Sequence, residues 1–143
     1  MSAVVVDTSA LVAISLAEPE APWFIDRIEQ ADMTYVSAGT LQEYLLVMAC
    51  RESRLSEPVL SPGEVVAHAY AIVDALGLHV VDVTEQLALL GAIGTAEHRH
   101  APARLNYGDG FSYALASALD CPLVCKGSDF PATDIAVSRP PGA

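Results

Sequence analysis

The 143-residue sequence predicts one three-layer α/β/α domain built on a mostly parallel central sheet of four or five strands. Short apolar runs near residues 3–6, 34–37, 78–83 and 122–125 alternate with segments of helical periodicity, which is typical of parallel α/β folds. The first run, from Ala3 to Val6, contains no polar residue. Such a run is expected of a strand that helices cover on both faces.

Glycine, proline and polar residues divide the chain into six predicted helices. Gly77 fits a helix C-cap, whereas Gly91 and Gly94 lie inside a helical pattern and indicate close packing against a neighbour. A polar loop is predicted at residues 55–62, and a second, basic loop at residues 97–104. The helices are predicted at about residues 8–18, 20–31, 40–54, 64–76, 84–93 and 112–119.

The C-terminal part of the chain predicts where the domain ends. A last edge strand is expected at residues 135–137, which places the domain at residues 1–138. Residues 139–143 contain two prolines and a glycine and are expected to fray. We find no internal repeat, low-complexity tract or interdomain linker in the sequence, so a single domain is predicted.

Glu43 lies in the most apolar helical segment of the chain. It is the only acid within residues 41–50, and the scarcity of polar side chains there predicts a helix that is buried all round. Arg51 lies eight residues further on, too far for an ion pair between helical neighbours. Because an unpaired buried carboxylate is costly, Glu43 is expected to protonate, to find a cation or to open onto a cleft. A functional role of Glu43 is therefore favoured over a structural ion pair.

Three aspartates stand at the ends of predicted elements. Asp7 follows the first strand and Asp129 comes shortly after strand 122–125. Ligands of open parallel sheets bind beyond the carboxyl ends of the strands. Asp109 precedes the helix at 112–119. Each acid taken alone also has a plainer interpretation, because Asp7 could cap the following helix and Asp109 could be a first-turn acid favoured by the helix dipole.

The overall composition restricts the function classes. The formal net charge of −11 argues against bulk electrostatic binding to nucleic acid, unless metal ions supply positive charge locally. With 52% apolar and 17% charged residues, the chain is more apolar than an average domain, which indicates surface meant for a partner. No apolar run could span a bilayer and no signal peptide is recognisable, so a cytoplasmic protein without membrane contact is predicted. Cys50, Cys121 and Cys125 match no zinc or redox motif and are expected to be buried, reduced thiols.

A cluster of four acids predicts a metal cofactor. Carboxylates brought together without cations would repel one another and raise each other's pKa. Mg²⁺ or Mn²⁺ prefers carboxylate oxygen, would remove this conflict and suits phosphodiester hydrolysis. The chain has no P-loop motif, and Ser9 stands where an aspartyl-phosphate enzyme of the haloacid-dehalogenase type would have its second aspartate. The four candidate ligands are Asp7, Glu43, Asp109 and Asp129.

Four motifs in this order resemble the PIN-domain ribonucleases and, more narrowly, the VapC toxins of bacterial VapBC toxin–antitoxin pairs. The motifs are VVVDTSAL at residues 4–11, SAGTLQE at 37–43, LNYGD at 105–109, and GSDF at 127–130 followed by TDI at 133–135. This resemblance covers essentially the whole chain. It implies a parallel sheet flanked by helices, an endoribonuclease that depends on Mg²⁺ or Mn²⁺, and a homodimer or a hetero-oligomer with a cognate VapB antitoxin that inhibits it.

The resemblance also assigns roles to residues. The acid quartet of the family falls on Asp7, Glu43, Asp109 and Asp129, and the first and third of these match the positions usually given as metal ligands. Thr8 matches a hydroxyl that supports the first aspartate. Asp134 is a candidate for a supporting position behind the metal ligands, and its plainer interpretation is an acid in a surface turn. Apart from the resemblance, the scarce positive charges of the chain give Arg99, Arg104 and Lys126 as candidate phosphate contacts.

Two classes of function remain open from sequence alone. The first is a ribonuclease toxin, and the second is a catalytically silent PIN-fold module that binds RNA or protein without cutting. A missing acid would indicate the second class, whereas here all four are present. For the toxin, a small partner is expected to dock near the cleft, on an apolar groove between the helices near 20–31, 40–54 and 64–76, and to place an arginine among the acids.

Overall fold

A computed structural model of the chain describes residues 2–50 and 60–142. Within these ranges one five-stranded sheet is formed, and all of its strand pairs are parallel. The sheet confirms the predicted architecture, with the first strand at its centre. In chain order the strands are β1 (Ala3–Val6), β2 (Met33–Ser37), β3 (Leu78–Val81), β4 (Leu123–Val124) and β5 (Val137–Ser138), and their spatial order is β3-β2-β1-β4-β5.

Helices cover both faces of this sheet, which gives the three layers. Side chains of β1 alternate between the faces. Val4 and Val6 belong to one apolar core with residues of the first four helices, whereas Val5 belongs to a second core with residues of the sixth helix. The helices in the described ranges are α1 (Thr8–Ser15), α2 (Ala21–Glu29), α3 (Ala38–Ala49), α4 (Pro62–Leu76), α5 (Glu85–Glu97) and α6 (Asp109–Leu119).

Several element boundaries differ from the predicted ones for identifiable reasons. β3 ends at Val81 rather than at residue 83, because Val81 pairs with Ser37, where β2 gives way to α3. α4 begins at Pro62 because Ser61 and Glu64 form a reciprocal capping box. β5 lies slightly beyond the predicted 135–137, because it pairs with the two residues of β4.

The prediction that the third helix is buried all round is wrong. Tyr44 and Met48 are in the core, but Leu46 is 61% exposed and Val47 is 40% exposed. Apolar composition without periodicity therefore did not reveal that α3 has a solvent-facing side. The predicted continuation of this helix through residues 51–54 and most of the loop at 55–62 lie outside the described residues.

Close packing of α5 against α6 confirms the interpretation of the glycines in the fifth helix. A Cβ atom on Gly91 would lie 2.8 Å from the carbonyl oxygen of Gly110, and one on Gly94 would overlap the ring of Tyr113. Gly77 has a positive φ of 61° and is the C-cap of α4, as predicted.

The remaining predictions concern the cysteines, the tail and the membrane. Cys50, Cys121 and Cys125 are free thiols, but the prediction that all three are buried is wrong, because Cys50 and Cys121 are only partly buried. Burial, with a smaller contribution from the charge of Asp7, raises the pKa of Cys125 to about 12. In the tail that was expected to fray, Pro140 is buried and Arg139 Nη1 donates to the carbonyl oxygen of Gly127 at 2.9 Å.

None of the helices in residues 2–50 and 60–142 combines the length and the apolar character that crossing a membrane requires.

Candidate active site

Asp7 lies at the carboxyl end of the central strand and is only 5% exposed. Its Oδ2 accepts hydrogen bonds from the backbone nitrogen of Ser9 at 3.1 Å and from Ser9 Oγ at 2.7 Å. Its Oδ1 accepts one from Ser112 Oγ at 2.6 Å. Asp7 is therefore the N-cap of α1, and this role accompanies its position at the end of the strand rather than competing with it.

Hydrogen bonds of three hydroxyl groups near Asp7 connect α1, α3 and α6. Thr40 of α3 and Ser112 of α6 are both fully buried, and their Oγ1 and Oγ atoms are 3.0 Å apart. Since Ser112 donates to Asp7, Thr40 donates to Ser112. Thr8, which was expected to support Asp7, instead donates to the carbonyl oxygen of Thr40 at 3.4 Å. The hydroxyls that bind Asp7 are those of Ser9 and Ser112.

The sequence contains a signal for one of these two serines. An N-cap side chain accepts from the second or third helical backbone N–H, so a residue two positions after Asp7 could have been identified as a partner. Ser112 carries no such signal, because it is 105 residues away from Asp7 and meets it only through tertiary packing.

Asp109 is fixed at the start of α6 by a reciprocal pair of hydrogen bonds with Asn106. The backbone nitrogen of Asn106 donates to Asp109 Oδ2 at 2.9 Å, and the backbone nitrogen of Asp109 donates to Asn106 Oδ1 at 3.0 Å. Burial, together with the smaller effect of the negative charges of Asp7, Glu43 and Asp129, raises the pKa of Asp109 to about 6, although the Asn106 backbone bond acts to lower it. The other three candidate acids are thus close enough to Asp109 to act on it electrostatically.

Glu43 and Asp129 approach this site from different elements. Glu43 is partly buried on α3, and its carboxylate packs so closely against Gly108 that a Cβ atom there would overlap it. Asp129 is exposed and immediately precedes a short 3₁₀ turn at Phe130–Ala132, five residues after β4. Four elements that are distant in sequence therefore bring the four predicted acids to one end of the sheet.

Asp134 and Lys126 form contacts of their own. Tyr113 Oη donates to Asp134 Oδ1 at 2.7 Å, and His98 Nε2 lies 3.4 Å from the same oxygen. Lys126 Nζ pairs with Glu18 at 2.7 Å and with Glu20 at 3.2 Å, which connects the segment after β4 with the α1–α2 loop. The other two candidate phosphate contacts, Arg99 and Arg104, are exposed.

The chemistry of the donor set fits a hard divalent cation. Within residues 2–50 and 60–142, no three Asp, Glu, His or Cys side chains are already arranged around one point as a ready metal cage. Mg²⁺ usually keeps several waters and is bound through one or two carboxylates, so it needs no such cage. Burial is the main cause of the raised pKa of Asp109, and a smaller part comes from the negative charges of Asp7, Glu43 and Asp129, which a cation would neutralise.

This electrostatic conflict leads to a prediction for the metal-free chain. The folded-state pKa of Asp109, about 6, exceeds its unfolded value, so the folded state binds more protons between about pH 4 and about pH 6. The stabilising contribution of Asp109 is therefore complete below about pH 4 and is lost as the pH rises through about 6. We expect thermal melts in EDTA to show this loss in the wild type and to lack it in Asp109→Asn. The prediction would be contradicted if the melting temperatures of the wild type and of Asp109→Asn changed with pH in the same way.

Comparison with known proteins agrees with this fold. The PIN domain family model matches residues 4–136, and the chain is therefore a member of the PIN-domain family. Among its relatives, ribonuclease VapC30 of Mycobacterium tuberculosis is 39% identical over 132 residues, which cover 92% of this chain and 95% of the relative. This identity over nearly the whole length confirms the resemblance to VapC ribonucleases.

Solved structures share the fold at lower identity. VapC20 of Mycobacterium tuberculosis, described as a sarcin–ricin loop cleaving toxin, aligns with a TM-score of 0.70 and 20% identity over 96% of this chain and 99% of its own. DNA-bound VapBC from Salmonella typhimurium aligns with a TM-score of 0.68 and 17% identity over 97% and 98% of the two chains. At these identities the likeness establishes the fold alone.

Proposed function

We propose that the chain is an endoribonuclease that depends on Mg²⁺ or Mn²⁺ and that acts as the toxin of a VapBC type II toxin–antitoxin pair. The observation that supports this most is the accumulation of Asp7, Glu43 and Asp129 around Asp109 at the carboxyl end of a parallel sheet. RNA is the proposed substrate because the relative VapC30 is named a ribonuclease and VapC20 is described as cleaving an RNA loop.

In this proposal Asp7 and Asp109 would hold the principal ion, while Glu43 and Asp129 complete the site and orient the attacking water. When bound, the ion would activate that water and stabilise the negative charge that develops on the phosphate. Ser9 and Ser112 hold the Asp7 carboxylate in one orientation, and the Asn106 backbone does the same for Asp109. Such preorganised ligands need little rearrangement during the reaction.

Phosphate binding falls to few side chains in a chain of net charge −11. Lys126 is bound to Glu18 and Glu20, so we assign it the role of positioning the segment that leads to Asp129 rather than of contacting RNA. Arg99 and Arg104 remain the candidate phosphate contacts.

Removal of metal is the direct test of the nuclease proposal. We expect the purified chain to cleave total RNA, or a hairpin with the sarcin–ricin loop sequence, in the presence of Mg²⁺ or Mn²⁺. Cleavage should disappear in excess EDTA and return when either ion is restored in excess, because the carboxylate set prefers hard cations. Undiminished cleavage in EDTA would refute the metal dependence. A chain that binds RNA but cuts none of these RNAs with metal present would instead favour the catalytically silent module.

The proposed partner is a VapB-type antitoxin, and the expected assembly is a homodimer or a hetero-oligomer with that antitoxin. The apolar surface supports such a partner, since Leu46 and Val47 of α3 and Val66 and Tyr70 of α4 are all exposed. The VapBC structure from Salmonella typhimurium shares this fold. We propose a cytoplasmic location, where both RNA and an antitoxin would be met.

Co-expression with the product of the neighbouring reading frame tests the toxin proposal. We expect the two chains to co-purify and the cleavage of RNA to be inhibited in the complex. Growth should stop when this chain is induced alone and recover when the partner is induced with it. A chain that is harmless on induction and is not inhibited by the neighbouring product would exclude the toxin role while leaving the nuclease chemistry possible.

A further inference from the structure

Tyr107 is an exposed aromatic side chain beside the acid cluster. It is 81% exposed and stands two residues before Asp109. Its ring makes an edge-to-face contact with Phe111, with ring centroids 5.3 Å apart and planes at 83°. This contact leaves most of the Tyr107 ring uncovered, so the ring remains available for another flat, apolar surface to stack on it.

The backbone on both sides of Tyr107 is held by the hydrogen bonds that fix Asp109. Asn106 and Asp109 exchange two bonds, at 2.9 Å and 3.0 Å, and Tyr107 lies between them. Gly108 packs directly against the Glu43 carboxylate. The Cα of Tyr107 therefore keeps a fixed distance from two of the proposed catalytic acids.

Tyr107 also borders a groove between α5 and α6. The groove has a volume of about 440 Å³, within the range of small-molecule sites, and its walls are mainly apolar. Thr95 and Arg99 are polar residues of its lining. The residues that define it here are Leu87, Gly91, Thr95, Arg99, Tyr107 and Phe111.

We propose that this groove receives one unpaired base of the RNA next to the cleaved phosphodiester, that Tyr107 stacks on this base and that Arg99 binds a neighbouring phosphate. Proteins recognise unpaired RNA by stacking splayed bases on aromatic rings and by contacting the flanking backbone. Stacking is well suited to a chain of net charge −11, which repels phosphates over most of its surface. The inference rests on the proposed function for its choice of RNA as the ligand.

A second copy of this chain is the alternative occupant. Leu89 and Ile93 of α5 are 58% and 55% exposed, and they are the apolar side chains that such a copy would be expected to cover. They do not line the groove. The groove differs from that surface in being lined by Arg99 and by Tyr107 and Gly110, which flank Gly108 and Asp109 in the sequence, and both features suit a nucleotide better than an apolar protein face.

Binding measurements on matched tyrosine variants test the proposal. The Asp7→Asn background, with Mg²⁺ present, is used so that the probe, a fluorescein-labelled single-stranded RNA of mixed sequence, stays intact. We expect Tyr107→Ala to weaken binding about 5- to 100-fold, the usual effect of losing one stacked base. Tyr107→Phe should bind within about twofold of its parent because stacking needs only the ring. Leu119→Ala is the control, since Leu119 is 40% exposed at the opposite end of α6 from Asp109 and its loss should have no effect.

An RNA whose internal nucleotides are abasic shows whether Tyr107→Ala weakens binding through lost stacking or for another reason. The parent should bind the abasic RNA more weakly than the normal RNA, whereas the further loss caused by Tyr107→Ala should disappear with the abasic RNA, as a coupled pair requires. A Tyr107→Ala chain that binds and cleaves RNA like the wild type would overturn the inference. The inference would also be overturned if Tyr107→Ala weakened binding to the abasic RNA as much as it weakens binding to the normal RNA.

Oligomeric state and wild-type activity distinguish the remaining outcomes. If Tyr107→Ala changes the mass of the assembly in light scattering without changing RNA binding, the groove is a protein interface and the inference is wrong. If the wild type fails to cleave RNA but Tyr107 and the bases are still coupled in binding, the nuclease proposal fails and the base-binding groove stands. A wild type that binds no RNA overturns both.

Discussion

Replacing Asp109 by asparagine is expected to lower the rate of RNA cleavage by about 10³-fold or more, because several kcal/mol of transition-state stabilisation should depend on the ion that it holds. The fold should remain intact. The asparagine oxygen can still accept from the backbone nitrogen of Asn106, as Asp109 Oδ2 does at 2.9 Å. Without metal, the variant should melt at a higher temperature than the wild type near pH 7, because the mutual repulsion with Asp7, Glu43 and Asp129 is removed.

The same loss of activity is expected for Asp7→Asn, with a smaller effect on stability. Its amide nitrogen can donate to Ser112 Oγ, which can turn its own proton towards Thr40, so no buried group loses its partner. Asp74→Asn is the control, since Asp74 is exposed on α4 and its removal changes the net charge equally. Kinetics and thermal melts, each with and without Mg²⁺, separate the two effects. Near-normal cleavage by either site variant would mean that the ligands have been assigned wrongly.

The sequence was informative where a local pattern has one structural meaning. The run from Val4 to Val6 could only be a strand covered on both faces, and Gly77 had to end a helix. Because parallel strands place their carboxyl ends at one edge, Asp7 and Asp129 could be assigned to that edge without any contact being known. The proximity of Glu43 and Asp109 was foreseen with the help of the family resemblance.

Contacts between distant segments could not be foreseen in the same way. The sequence predicts Thr8 as the support for Asp7, yet the hydroxyl of Ser112 occupies that place because α6 packs against β1. Nothing in the sequence shows that Glu18 and Glu20 come within ion-pair distance of Lys126. Both cases concern polar side chains whose partners are chosen by tertiary packing rather than by spacing.

The substitution Gly108→Ala is expected to lower activity by displacing the carboxylate of Glu43. Gly108 has φ −64° and ψ −36°, which any residue adopts, so alanine meets no backbone strain. Its Cβ atom would, however, overlap the carboxylate of Glu43. We expect a loss of about 1 kcal/mol of stability or less, because the carboxylate end of the flexible, partly buried Glu43 side chain can turn aside, and a fall in kcat of about 10²-fold because Glu43 is displaced by a distance of the order of 1 Å. Chemical denaturation and single-turnover cleavage measure the two losses.

A double-mutant cycle shows whether the overlap is the cause. In a Glu43→Ala background the carboxylate is absent, so adding Gly108→Ala should no longer lower the free energy of unfolding. Gly63→Ala provides the matched control, because a Cβ atom there meets nothing within 4 Å and alanine favours the helix α4 by up to about 1 kcal/mol. If Gly108→Ala destabilises the Glu43→Ala chain as much as the wild type, the damage comes from another contact. If it leaves cleavage unchanged in the wild type, the Glu43 carboxylate is not needed where it now lies.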